Sequence, residues 1–420
     1  MNAAEQMLKF LQEDNILEAE KQLQKVKRNG TDEEKFWLAE ELTKYGYLRE
    51  AKDLYESLLN MYPEESELTL RLAELSIELN EDEQAYAYLE TIKPDDPNYA
   101  AALLVEADLY QMQGLYEVSE HKLLHAKELL PKEPVIDFAL GELYMTQGRF
   151  LEASRYYTSL IDKNEYEFAG MNVYARMAEA LSAGGAFEDA LPFYQKALDH
   201  KLDVDTLFGY GLTAFQVGQY PLAIQALKQL RELDQNYLSL YLYLAKSFEH
   251  EERLDEALEA AQAGIELDEF NKDLIFYAGK ISLKLGDEGK AEHYFRHALA
   301  LDPEFIEAAT TLNKLFLHQE RYEDVLEIAE QFIQGGGVDP QFYWDSAISF
   351  QYTENYKEAL KQYELAYNDF KNNQDFLKDY GYFLLEEGKK AEAIKLFKRL
   401  AKKEPTNEEW LSILERLDEE

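Results

Sequence analysis

The chain has no cysteine. It can form no disulfide, offers no thiol nucleophile and cannot hold zinc through sulfur, a composition that predicts a reducing compartment. Basic residues are scarce: 43 lysines and arginines stand against 83 aspartates and glutamates, a formal charge of -40 over 420 residues. Such a field repels phosphate backbones and anionic headgroups and argues against nucleic acid or a membrane surface as partner. No apolar run approaches the roughly 20 residues needed to cross a bilayer. The first residues, MNAAEQMLKFLQEDN, break their apolar positions with Glu, Gln, Lys and Asp and so lack the core of a secretory leader. A cytoplasmic protein is the expectation. An acidic chain could also be a solvated coil, but 46% hydrophobic and 13% aromatic residues are too many for that.

What the sequence has is a ladder. Small residues stand at Ala51, Ala85, Ser119 and Ala153, each 34 residues from the last. The position recurs at Ala190, Ala223, Ala257, Ala291, Val325, Ala359 and Ala393, with an upstream copy at Ala19; the steps that depart from 34 are 32, 37 and 33. A period of this length marks stacked repeats, each too small to bury its own apolar face alone. Around Ala153 stand Gly141, Tyr144, Gly148, Tyr157 and Leu160; around Ala291, at the same offsets, stand Gly279, Ser282, Gly286, Phe295 and Ala298, with Pro303 beyond. Gly381, Leu384, Gly388, Phe397, Leu400 and Pro405 repeat the template around Ala393. Offsets of four and seven put side chains on one stripe of a helix, and the upstream set does the same for a preceding helix. The glycine between them supplies a left-handed residue to end the first helix, and the proline stops the second. Each unit therefore reads as a helix-turn-helix hairpin, with small residues where the two helices approach closely.

The segments GELYMTQGRFLEASRYYTSL (141–160) and GKISLKLGDEGKAEHYFRHALALDP (279–303) closely resemble the tetratricopeptide repeat (TPR) family, and the even array is similar to the cytosolic YpiA-type TPR proteins of Gram-positive bacteria. The resemblance implies an all-α fold, a right-handed α-solenoid of about twelve TPR hairpins, running as a continuous array over 1–406. Residues 407–420 should form a C-terminal capping helix, with Trp410, Leu411, Leu414 and Leu417 on one face. Val325, Ser119 and Gly264 depart from the family pattern without breaking its register. Two junctions are irregular: the 37-residue step inserts about one helical turn near Asn164 to Gly170, and Gly335-Gly336-Gly337 precedes Pro340. Both read as loosened turns between repeats. The triple glycine is no phosphate loop, since no Lys-Ser or Lys-Thr follows it.

Signs of chemistry are sparse. His121 with His125 and His293 with His297 are HxxxH pairs on second helices, a spacing that can bind zinc or nickel, but no HExxH occurs and spacing fixes no third ligand. No metal site, cofactor or catalytic residue is assigned. Lys389, Lys390, Lys395, Lys398, Arg399, Lys402 and Lys403 cluster on the last hairpin. There they complement the negative end of a helix or dock an acidic partner.

In an array of hairpins the first helices share one surface, and the residue just after the small one twelve places before the reference alanine is turned by about 100° toward it. From the second unit on, that position reads Glu40, Glu74, Asp108, Glu142, Glu179, Leu212, Lys246, Lys280, Lys314, Ile348 and Tyr382. Five acids are followed by one apolar residue, three lysines and two apolar residues, and the lysines run against the bulk composition. Tyr243 and Tyr277 stand three residues before Lys246 and Lys280, with Phe276, Lys284, His250 and His318 near them. First helices spaced about 8 to 10 Å apart would spread three lysines over roughly 20 Å, about six residues of extended peptide. An acidic segment or a carboxyl terminus suits the lysines, and a basic segment suits the acids. The two-carboxylate clamp by which some TPR domains hold chaperone termini is not reproduced, because its asparagines are missing.

The expectation is a non-enzymatic scaffold or adaptor that binds protein segments in its groove. The resemblance adds delivery of a client to a regulatory or proteolytic complex. An assembly factor for a larger cytosolic complex and metal binding through the HxxxH pairs are the alternatives.

Overall fold

A computed structural model describes residues 2–334 and 339–419 of the chain. Among these residues there are 25 α-helices and one two-stranded hairpin, arranged in two compact units, Met1–Val217 and Gly218–Glu420.

The first unit holds α1 (Ala3–Gln12), α2 (Ile16–Asn29), α3 (Asp32–Lys44), α4 (Leu48–Leu59), α5 (Ser66–Glu78), α6 (Asp82–Leu89), α7 (Tyr99–Met112), α8 (Tyr116–Leu129), α9 (Pro134–Thr146) and α10 (Phe150–Asp162). Then come β1 (Glu167–Phe168), β2 (Met171–Asn172), α11 (Val173–Ala183), α12 (Phe187–His200) and α13 (Val204–Gln216). The second unit holds α14 (Tyr220–Leu233), α15 (Ser239–His250), α16 (Leu254–Leu267), α17 (Lys272–Lys284), α18 (Glu288–Leu301), α19 (Ile306–His318) and α20 (Tyr322–Gln334). It ends with α21 (Pro340–Tyr352), α22 (Tyr356–Phe370), α23 (Gln374–Glu386), α24 (Lys390–Lys403) and α25 (Glu408–Glu419). The chain is all-α: twelve helix pairs in register with the ladder, then the terminal helix. Gly335, Gly336 and Gly337 lie outside the described residues.

The ladder is the packing seam. Ala19, Ala51, Ala85, Ala153, Ala257, Ala291 and Val325 are fully buried or nearly so, and the aromatic four residues on is buried with them at Tyr55, Tyr157, Phe295, Tyr363 and Phe397. Its ring lies against the small residue of the first helix. A Cβ added to Gly141 would stand 2.6 Å from the Tyr157 ring, one on Gly279 would stand 2.6 Å from Phe295, and one on Gly381 would stand 2.9 Å from Phe397. Carbon atoms cannot approach so closely, so in these pairs glycine is a steric requirement. Gly264, which breaks the family pattern, has the same cause: a Cβ there would lie 2.5 Å from Leu274 of the next hairpin.

Every hairpin turns through a left-handed residue five places before the reference position. Glycine fills it at Gly46, Gly148, Gly286 and Gly388 among others, while Asp14, Asn80, Glu252, Glu320 and Glu354 hold the same conformation with φ between 58° and 60°.

At two places the structure departs from expectation. The three residues added by the 37-residue step, expected as a loosened turn between repeats, form an ordered one: Glu167 pairs with Asn172 and Phe168 with Met171 in an antiparallel hairpin. Ala169 and Gly170 turn it at φ 49° and 78°, Phe168 stacks on Phe138 with centroids 5.2 Å apart, and Asn172 caps α11. A left-handed pair inside the segment forbids helix, and the free Phe168 ring selects which face packs. In α25, Trp410 and Ile413 are buried over the last hairpin, with Leu414 and Leu417 partly covered, whereas Leu411 is exposed. Ile413, three residues from Trp410, takes the inward place expected of Leu411.

Candidate protein-binding face

Within the units α5 touches α7, α7 touches α9, α15 touches α17 and α19 touches α21, so the positions on each of these helix pairs occupy neighbouring places.

In the first unit the acidic row is largely answered from within. Arg176 on α11 reaches back to α9 and grips Glu142 in a bidentate pair, Nε to Oε1 at 2.7 Å and Nη2 to Oε2 at 2.6 Å, while its third nitrogen bonds Glu179. Tyr157 donates a further hydrogen bond of 2.6 Å to Glu142. Arg71 stands at the same repeat position and bonds Glu74 at 3.2 Å. With Glu40 and Tyr55 it lines a cavity of about 300 Å³. Burial raises the Glu179 carboxyl even against Arg176. Asp108 has no arginine; although its side chain reaches solvent, burial between the helices, followed by the Glu74 carboxylate, pushes it up to about 6. Arg71 and Arg176 thus offset part of the charge that the five acids suggest.

The lysine row of the second unit is more open. The Lys246 ammonium lies 5.8 Å from the centroid of Tyr243 and 5.8 Å from that of Tyr277, held between two ring faces. Lys280 stands 5.5 Å from the Phe276 ring and 3.7 Å from Glu307 in an exposed pair. Lys314 is exposed. Among the described residues no carboxylate forms an ion pair with Lys246 or Lys314.

Three placements correct the expected patch. Phe276 and Tyr277 are buried, 5% and 6% exposed, because Phe276 packs against Phe295 and Phe305 in the core; only their ring faces remain, beneath the ammonium groups. Lys284 is not available as expected, since it bonds Glu249 at 2.6 Å, and the Tyr277 hydroxyl donates to the same carboxylate. Burial works to raise Glu249, but those two hydrogen bonds overcome it and hold the carboxyl below its ordinary value. His250 stacks on Tyr220 at 4.2 Å between centroids, and His318 faces Glu288 at 3.8 Å. Next to Lys314, Asn313 is fully buried and donates to Asp345 at 3.4 Å. Burial pushes Asp345 up to about 6, against hydrogen bonds from Gln341 and Asn313.

Sequence reading missed Arg71, Arg176 and Glu249. The signal was present: both arginines stand three residues before an acid of the row, and Glu249 three residues after Lys246, the spacing that brings helix side chains together.

His293 and His297 lie on α18 with rings 6.5 Å apart, and His125 packs edge-on against Tyr99. Among the described residues no three His, Asp or Glu side chains are grouped so as to hold a metal, and no helix is long and apolar enough to cross a membrane. In the basic cluster of the last hairpin, Arg399 bonds the Tyr367 hydroxyl at 2.6 Å, and Lys395, Lys398 and Lys402 are exposed.

A model of YpiA-like tetratricopeptide repeats matches residues 111–165, one of YpiA-like C-terminal tetratricopeptide repeats matches 340–407, and general tetratricopeptide repeat models match 42–116, 210–272 and 276–305. The chain is 44% identical over 398 residues to the TPR repeat-containing protein YpiA of Bacillus subtilis (strain 168), covering 95% of this chain and 94% of the relative. Among solved structures it is similar to YrrB, a TPR protein with an unusual peptide-binding site, at 20% identity and TM-score 0.40 over 47% of this chain and 97% of that one. It is also similar to the Cut9-Hcn1 hetero-tetramer of the APC/C, at 13% identity and TM-score 0.40 over 98% and 95%. On the strength of the Bacillus relative and the repeat models, the chain belongs to the YpiA-like family of tetratricopeptide repeat proteins.

Proposed function

We propose that the chain is a non-enzymatic adaptor that holds an acidic segment or a carboxyl terminus of a partner protein on the lysine row of its second unit. The observation that carries this reading is Lys246, an ammonium seated between the Tyr243 and Tyr277 rings with no carboxylate pairing it among the described residues. Cation–π contact leaves the outward N–H groups of a lysine free to donate, so a carboxylate gains an oriented, charge-assisted hydrogen bond. Lys280 and Lys314 extend the line, and the weak exposed pair of Lys280 with Glu307 is readily exchanged for a ligand carboxylate. Charge of this sign on so acidic a body orients a ligand and speeds its capture. The internal arginines of the first unit make its acidic row the weaker site, with Glu40 and Asp108 as the acids open to a basic segment. Delivery of a client to a regulatory or proteolytic complex is the narrower form of this reading, and it requires a second face for the second partner. The test is the triple variant Lys246→Glu/Lys280→Glu/Lys314→Glu: capture of a partner that the unaltered protein co-purifies should be lost while the helical melt is unchanged. Capture that survives the triple reversal overturns the assignment.

A further inference from the structure

We infer that the groove between α3, α4 and the start of α5 is a separate binding site, for a short cationic segment carrying one bulky apolar side chain. Its accessible apolar surface comes from the half-buried Phe36, packed edge-on against Tyr55, and the exposed Tyr62 ring, with Leu58 and Leu68 nearly covered beneath them. The cavity holds about 440 Å³, enough for a large side chain and the backbone that carries it.

The rim decides the occupant. Asp32 and Glu33 come from the first turn of α3, and Glu65 and Glu67 from the start of α5, so four carboxylates surround one apolar floor. The Tyr62 hydroxyl donates to Asp32 at 2.6 Å, and Tyr62 lines the groove with them. Among the described residues no lysine or arginine forms an ion pair with any of the four. The acidic row of the first helices has such pairs, through Arg71 and Arg176, whereas of the four groove acids Glu67 feels the Arg71 charge without pairing with it. Acids at helix N-termini need no ligand to explain them, and an open apolar floor alone would accept many. Together they exclude acidic and purely apolar occupants and select a leucine- or phenylalanine-like anchor flanked by lysine or arginine.

The groove lies on other residues than the lysine row and does not rest on the reading given above. The probe is the labelled peptide acetyl-Arg-Lys-Leu-Phe-Lys-Arg-amide, titrated into the full chain at low salt and followed by fluorescence anisotropy. Saturable binding is expected, weakened at least ten-fold by Glu33→Lys/Glu65→Lys and by replacing Leu-Phe of the probe with Ser-Ser. The control Glu188→Lys/Asp189→Lys, exposed acids elsewhere in the first unit, should leave it unchanged. Far-ultraviolet circular dichroism and the melt establish that each variant is folded. The inference is overturned if the probe does not saturate, if the Ser-Ser peptide binds equally well, or if the control pair weakens binding as much as the groove pair, since each leaves only diffuse attraction to an acidic surface.

Discussion

The two units use one scaffold and treat charge on their first helices in opposite ways. In the first, three of the five acids at the row are gripped by arginines from the same face: Arg176 closes Glu142 and Glu179 into one network, and Arg71 answers Glu74. In the second, Lys246 is met by aromatic rings and Lys314 is exposed, while the buried Asp345 and the half-buried Asp379 are raised by burial against the attraction of Lys314 and Lys378. The difference teaches that a row of like charges is not by itself a binding surface. What matters is whether the position three residues away supplies the counter-charge or a ring.

The largest effect should follow from breaking the internal pairing of the first unit. Arg176→Met leaves two partly buried carboxylates side by side and should cost about 2–4 kcal/mol in a urea or thermal melt; a loss below about 0.5 kcal/mol would mean that solvent already screens the pair. Next, the ladder should be equally strict in both units. Gly141→Val and Gly279→Val each drive a side chain into a ring, Tyr157 or Phe295, and should each cost about 1–3 kcal/mol without altering partner choice. A tolerated substitution in one unit alone would show that its seam is slack.

A third change should stabilise. The Asp345 carboxyl is raised by burial to about 6, so its favourable contribution is full below its unfolded value near 4 and is lost as pH rises through 6. At pH 7 the buried charge is a liability. Asp345→Asn keeps the shape and should raise stability by about 2 kcal/mol at pH 7 and by much less at pH 4. The same gain at both pH values would place the effect elsewhere. The smallest effect concerns the turns. Glu252, Glu320 and Glu354, all in the second unit, hold a conformation that costs a side-chain-bearing residue about 1–2 kcal/mol, and glycine gives back part of the gain through the unfolded chain. Replacing each with glycine should add about 0.5–1 kcal/mol, whereas Gly148→Ala and Gly286→Ala should subtract a similar amount.

Much of the fold was legible because its determinants are periodic. The 34-residue step located twelve hairpins and the turn residue of each, since small side chains and left-handed residues are demanded by local sterics. Glu167–Asn172 was not legible as a β-hairpin, because an insertion escapes the period and its conformation depends on the Phe138 ring that Phe168 meets. For the candidate site, sequence placed Lys246, Lys280 and Lys314 on one face but not their counter-groups. Glu249 and Arg176 act across neighbouring helices, Lys284 with Glu249 and Arg176 with Glu142, and reading one row at a time cannot reveal such pairs. Phe276 looked available from its spacing and proved to be core, because Phe305 of the following turn covers it.

The contrast between the units is tested most directly by quantitative affinity capture with two variants of equal and opposite charge change per site, Lys246→Glu/Lys280→Glu/Lys314→Glu and Glu40→Lys/Glu74→Lys/Asp108→Lys, each compared with the unaltered chain and each verified to be folded by its melt. The account predicts that the lysine-row variant loses a partner bearing an acidic segment or carboxyl terminus and that the acid-row variant retains it. Retention by the first variant, or loss of that same partner by both, would contradict it.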